Sequence, residues 1–237
     1  MVVDAVGVAS PARRETILDV PMPPLPPPAE PHPIDTVVFD IGGVLLEWDP
    51  RNLYRKLFDD EAEMERFLSE VCTSEWHAAH DRGVPALKSC AELAAAHPEQ
   101  AELIFAWARR TEEMVAGPIQ GTVEILRELR QAGVACYALT NMEAETYPLR
   151  LARYQFLSWF DGTVVSSSEG VVKPDVEIFR RLLDRFGLDP RMTVMIDDSA
   201  QNLEAAASLG MTPIEFRAPE QLRDHLEQLA LLPRAMS

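Results

Sequence analysis

The sequence predicts an α/β fold, a doubly wound parallel sheet with an all-helical domain inserted near its start. Three observations lead there. Short β-branched apolar runs, such as Val37-Val38-Phe39 and Thr193-Val194-Met195-Ile196, alternate with single helical patterns over most of the chain. Several of those helical patterns stop at a glycine (Gly133, Gly187, Gly210), the residue best suited to a left-handed C-terminal turn. From about residue 50 to 116 the alternation ceases, and apolar residues recur at helical spacing with no strand between them.

Taken in order, "DTVVFD" is a buried strand bounded by an acid. The segments "RNLYRKLF", "EAEMERFLSEVC", "PALKSCAELAAA" and "PEQAELIFAWARRTEEMVA" are helical. A block of that length is too long for a loop and reads as a second domain over the sheet's edge. Then "GTVEILRELRQAG" is a helix, "VACYALTN" a strand, and "EAETYPLRLARYQFL" a helix broken near Pro148. The stretch "FDGTVVSSSEGVVKPD" holds a short strand and an exposed loop, and "VEIFRRLLDRFG" is a helix. A strand "MTVMIDDS", a helix "AQNLEAAASLG", a last strand "TPIEF" and a helix from Pro219 to about Ala230 complete the pattern. The expected organisation is a tail over residues 1–33, an α/β core over 34–48 and 117–237, and a helical insertion over 49–116.

Composition narrows the partners. The net charge of −16 and pI of 4.7 argue against nucleic acid, whose phosphates want basic patches. The odd number of cysteines (Cys72, Cys90, Cys136) forms no CxxC or Cys/His pattern, so reduced core thiols in the cytoplasm are expected. No apolar run suits a membrane span. Asp4 and the lack of a basic start followed by an apolar stretch argue against a signal peptide. Nine of the nineteen prolines lie between Pro11 and Pro33, which predicts a disordered tail, with a PxxP-type ligand as the alternative. The sequence sets no oligomeric state.

In an open parallel sheet, ligands bind beyond the carboxyl ends of the strands. Those ends carry Asp40 in "VVFDIGGVLL", Thr140-Asn141, Lys173 in the loop beyond "TVV", and Asp197-Asp198. Singly, each is an ordinary cap or turn residue. Together they fit phosphoryl transfer through a covalent carboxylate. Asp40 would be nucleophile and metal ligand, Asp198 a second ligand and Asp197 its close support. Thr140 and Lys173 would hold the phosphoryl oxygens, and magnesium suits an all-oxygen site.

The motifs "FDIGGVL", "LTN", "VVKPD" and "IDDSAQNLEAA", in this order, resemble the four motifs of the haloacid dehalogenase superfamily, from residue 34 to about 216. The helical insertion is similar to that family's C1 cap. The resemblance implies a hydrolase with Asp40 as nucleophile, Thr140 and Asn141 at the phosphate, Lys173 steadying both, and Asp197 and Asp198 at magnesium. Asn202 matches an asparagine often found after the acid pair. The substrate implied is a small phosphorylated metabolite, with a sugar phosphate among the candidates.

One position departs from the pattern. Where most phosphatases of the superfamily carry a second aspartate that shuttles protons, this chain has Gly42. The family's metal ligand there is a backbone carbonyl, which glycine keeps. The lost acid–base help is typically worth about 10²–10⁴ in rate. Asp49, His77, His80 and Asp81 are candidates to replace it, although Asp49 also reads as a helix cap before Pro50. Three readings stand: a magnesium-dependent phosphatase, a metal-independent 2-haloacid dehalogenase whose leaving halide needs no proton, and a non-catalytic binder. The adjacent acids Asp197 and Asp198, which repel each other without a cation, favour the first. Trp76, Phe105 and Trp107 are expected in the helical core or at the substrate, and Met114 in the core. A hinge is expected near Glu47–Pro50 and Gly117–Pro118.

Overall fold

The computed structural model describes residues 34–233. The expected disordered tail and the absence of a signal peptide concern residues 1–33, outside that range. Strand β1 (Thr36–Phe39) leads to β2 (Leu46–Trp48), after which come helices α1 (Arg51–Tyr54), α2 (Glu61–Glu70), α3 (Ser74–Asp81), α4 (Ala86–Ala96) and α5 (Ala101–Arg109). The chain returns through β3 (Val115–Pro118) into α6 (Gln120–Gln131), β4 (Ala135–Thr140), α7 (Thr146–Arg153), β5 (Gly162–Val165) and α8 (Ser166–Glu169). It ends with α9 (Val176–Phe186), β6 (Thr193–Asp197), α10 (Ala200–Ser208), β7 (Thr212–Glu215) and α11 (Pro219–Gln228).

The main sheet is parallel throughout, in the order β5-β4-β1-β6-β7. Its central strand obeys the two-residue alternation of a strand covered on both sides. Val37 and Phe39 pack with α6 and α11 through Ile125, Leu126, Leu129, Leu222 and Leu226. Val38 faces the other way, onto α9 and α10 through Phe179, Leu182, Leu183 and Leu203. The helices between β2 and β3 have an apolar cluster of their own, built on Tyr54, Phe67, Ile104, Trp107 and Met114. Gly133, Gly187 and Gly210 all have positive φ beyond helix ends, as the sequence led one to expect.

Several elements differ from the sequence reading, among them helix α3, which lies in a stretch assigned no element. The helical block is entered and left through an antiparallel ribbon, with Leu46 opposite Pro118 and Glu47 opposite Gly117. Its strands are three and four residues long and include Gly117 and Pro118, so no period-2 pattern could announce them. Pro148 does not break α7; it lies in the first turn, where its missing N–H would have had no intrahelical partner. The expected exposed loop after β5 begins with the short helix α8, whose Ser166 is buried.

Candidate active site

The register of the sheet assembles the site. Phe39 is level with Ala138 on β4 and Ile196 on β6, so Asp40, Thr140 and Asp197 emerge on one rim. The Asp40 amide still pairs with Ile196 (2.9 Å), which fixes its carboxylate where the strand ends. Asp40 Oδ1 accepts from the Ile41 amide at 2.7 Å, and Oδ2 lies 3.0 Å from Lys173 Nζ. The same ammonium donates to Asp197 Oδ2 at 2.6 Å. Asp197 Oδ1 accepts from the Ser199 amide and from Asn202 Nδ2, both at 2.9 Å, at the N-terminus of α10 where a negative charge is favoured. Asn202 therefore orients Asp197.

One oxygen from each of Asp40, Asp197 and Asp198 lies within 4.8 Å of the others. Three carboxylates face one ammonium, an excess of negative charge in a largely buried place. Burial drives Asp40 up to about 7; Lys173 opposes this and Asp197 adds to it. Asp198 is raised as well, by burial and then by Asp197. Burial works against the charge on Lys173, but Asp40 and Asp197 more than offset it and its pKa is raised. Lys173 thus supplies part of the counter-charge that the adjacent acids need. The all-oxygen set of Asp40, Asp197 and Asp198 could hold a hard cation such as magnesium, although both Asp197 oxygens are already engaged by Lys173, Ser199 and Asn202.

The two glycines after Asp40 differ. Gly43 has φ +73°, and a Cβ there would run into the Asp198 carboxylate, so glycine suits the backbone where it passes the acid. At Gly42 an added Cβ meets nothing within 4 Å. The missing second aspartate leaves open space, in the wall of a cavity of about 700 Å³ that Asp40, Thr140, Lys173 and Asp198 also line.

Thr140 is buried and lines the cavity. Asn141 is brought there too, but its amide group is engaged with the Lys173 main chain and so serves the lysine. Asp49 lines the cavity while its Oδ1 accepts from the Arg51 amide at 2.9 Å, capping α1. His77 and Asp81 line the cavity from α3; His80 is fully buried beside them. Trp107 belongs both to the helical cluster and to the cavity wall, whereas Trp76, Phe105 and Met114 pack within that cluster. Two residues escaped the sequence reading. Glu143 stands just beyond Asn141, and Arg150 is a buried guanidinium paired with Glu112 at 3.0 Å. Thr146 and Arg150, one helical turn apart on α7, are both buried, which the sequence did not announce.

Residues 34–210 match the haloacid dehalogenase-like hydrolase family, and the chain belongs to it. It is 31% identical over 181 residues to the sesquiterpene phosphatase astK of Aspergillus oryzae, covering 76% of this chain and 88% of that protein. It is 24% identical over 186 residues to a phosphorylated carbohydrates phosphatase of Thermotoga maritima, covering 76% of this chain and 84% of that one. Among solved structures, a family enzyme of Bacteroides thetaiotaomicron in magnesium complex superposes with a TM-score of 0.63. At 19% identity, over 79% of this chain and 95% of that one, this likeness shows the shared fold.

Proposed function

We propose that the chain is a magnesium-dependent phosphomonoester hydrolase working through an aspartyl phosphate on Asp40. The observation that carries this is the single Asp40 carboxylate, 3.0 Å from Lys173 Nζ and grouped with Asp197 and Asp198. Asp40 attacks phosphorus, and the leaving oxygen departs with its organic group. Thr140 and Lys173 hold the phosphoryl oxygens as charge moves across them. When bound by Asp40, Asp198 and the Gly42 carbonyl, magnesium would neutralise phosphate charge. Water then opens the acyl phosphate and frees Asp40.

The substrate is a small phosphorylated metabolite. The cavity lining includes the apolar residues Trp48, Leu68, Trp107 and Met142 beside the charged Arg51, Glu65, Glu143 and Arg150. The relatives' names, one for a terpenoid and one for carbohydrates, span the same two chemistries. A sugar 1-phosphate, whose hemiacetal oxygen leaves easily, tolerates Gly42 well. Residues 49–116 act as a cap hinged near Glu47–Pro50 and Gly117–Pro118, closing over the rim to exclude water. The buried free thiols of Cys72, Cys90 and Cys136 support a reducing compartment, the cytoplasm. Among the described residues no helix is long and apolar enough to cross a membrane.

Hydrolysis of p-nitrophenyl phosphate with and without magnesium, beside chloride release from 2-chloropropionate, tests the reading with Asp40→Asn as blank. Magnesium-dependent phosphate release lost in the blank is the expected result. Metal-independent chloride release would replace it with the dehalogenase that Gly42 alone would fit.

A further inference from the structure

We propose that Asp81, a residue of the helical insertion, carries the proton that the missing carboxylate at position 42 would have carried, resting on the phosphatase reading above. Asp81 closes α3 and is tied to the core by its main chain. Its carbonyl accepts from Ser166 Oγ at 2.7 Å, and that hydroxyl accepts in turn from the Met142 amide at 3.1 Å. Met142 follows Asn141, the residue that grips the Lys173 main chain. Two hydrogen bonds and the Asn141–Met142 peptide link thus tie the Asp81 main chain to the residue that grips Lys173, and Asp81 lines the same cavity into which position 42 opens.

Burial and a neighbouring acid favour the protonated form of the Asp81 carboxyl. Its side chain is only 13% exposed, and Oδ1 is shut from water with no hydrogen-bond partner among the described residues, a penalty that falls on the charged form. Burial, then the Glu143 carboxylate, push it up to about 7; His80, Lys173 and Arg82 pull the other way. Asp81 lines the same cavity as Asp40, Gly42 and Lys173. His77, 3.9 Å away through Nδ1, is held down to about 4 by burial and by His80, so it brings no charge near neutral pH. A carboxylic acid poised near neutrality can give a proton and take it back. The other candidates fit less well: Asp49 is occupied as a cap and by the Arg51 guanidinium at 3.3 Å, and His80 is sealed from the cavity.

The steps balance. As Asp40 bonds to phosphorus and the P–O bond to the organic group breaks, the leaving oxygen takes the Asp81 proton and departs as an alcohol. Asp81 is then a carboxylate. It accepts a proton from the water that attacks phosphorus, the P–O bond to Asp40 breaks, and inorganic phosphate leaves with Asp40 ionised and Asp81 protonated again.

The test compares kcat/KM, which reads the first transfer, for p-nitrophenyl phosphate and for a primary alkyl phosphate, in wild type, Asp81→Asn and Asp81→Glu. An aryl oxide leaves without help, whereas an alkoxide does not. In Asp81→Asn the alkyl value is expected to fall by about 10² or more and the aryl value by less than about threefold. Asp81→Glu is expected to recover part of the alkyl loss. Equal losses on both substrates, or no loss on either, would overturn the assignment. A wild type that hydrolyses neither phosphate would instead sink the phosphatase reading on which it rests.

Discussion

Asn141 and Lys173 grip one another through two hydrogen bonds: the Lys173 amide donates to Asn141 Oδ1 at 2.9 Å, and Asn141 Nδ2 donates to the Lys173 carbonyl at 3.0 Å. This joins the end of β4 to the loop that delivers the ammonium. Asn141→Ala leaves both main-chain groups without that partner. Stability is expected to fall by about 1–3 kcal/mol. Displacement of the ammonium is expected to lower kcat/KM by up to about 10²-fold. Urea unfolding and steady-state kinetics read the two separately. Unchanged kinetics in a folded variant would show that Lys173 is placed by other contacts.

Lys173 is the ammonium between Asp40 and Asp197, so its removal strands two buried carboxylates. Lys173→Met is expected to destabilise the fold by about 3–5 kcal/mol and to abolish turnover. Adding Asp197→Asn should restore part of the stability and none of the activity. Denaturant midpoints of the single and double variants measure that coupling.

The neighbouring glycines should respond in opposite ways. Gly42→Asp places its side chain in open space and keeps the carbonyl, so the protein is expected to fold normally. In the Asp81→Asn background the new acid is expected to raise kcat/KM on alkyl phosphates by about 10-fold or more. Gly43→Ala puts a methyl group into the Asp198 carboxylate at a positive φ. It is expected to weaken magnesium binding, which calorimetry with the metal alone would show; unaltered affinity would remove Asp198 from the ligand set.

His77 and Asp81 titrate with opposite signs. The folded protein holds His77 down to about 4, below its ordinary 6.5, so between those values acidification protonates the unfolded chain first and costs stability. It holds Asp81 up to about 7, above its ordinary 3.8, so over that window rising pH ionises the unfolded chain first and costs stability. Between about pH 4 and 6.5 the two largely cancel. Relative to wild type, Asp81→Asn should gain stability with rising pH across this range, by up to about 1.4 kcal/mol per pH unit. His77→Gln should lose stability with rising pH, and identical pH dependence in all three proteins would exclude both shifts.

Much of this was legible in the sequence because a parallel sheet turns strand ends into a place. Asp40, Thr140 and Asp197 each close an apolar run, and shared register brings them to one rim. The helix α3 was harder to see. "SEWHAAHD" offers few large apolar residues, and its most buried side chain is His80, a type that no hydrophobic period counts. Glu143 and Arg150 stayed hidden for the same reason: charged residues read as solvent-facing until a structure supplies the partners that let them be buried. The advantage of glycine at position 43 was invisible as well, since it arises from an acid 155 residues further along the chain.

The ribbon of β2 and β3 has a wider consequence. Because Leu46 and Glu47 pair directly with Pro118 and Gly117, the helical block leaves and rejoins the core at one spot. To the sheet, the block is equivalent to the tip of a hairpin, and the entropy of closing the β1-to-β4 crossover depends on the ribbon far more than on what lies beyond it. Such a junction is modular. Helices beyond it can be lengthened, exchanged or reshaped for a different organic group while the strand register that sets Asp40 beside Asp197 stays as it is.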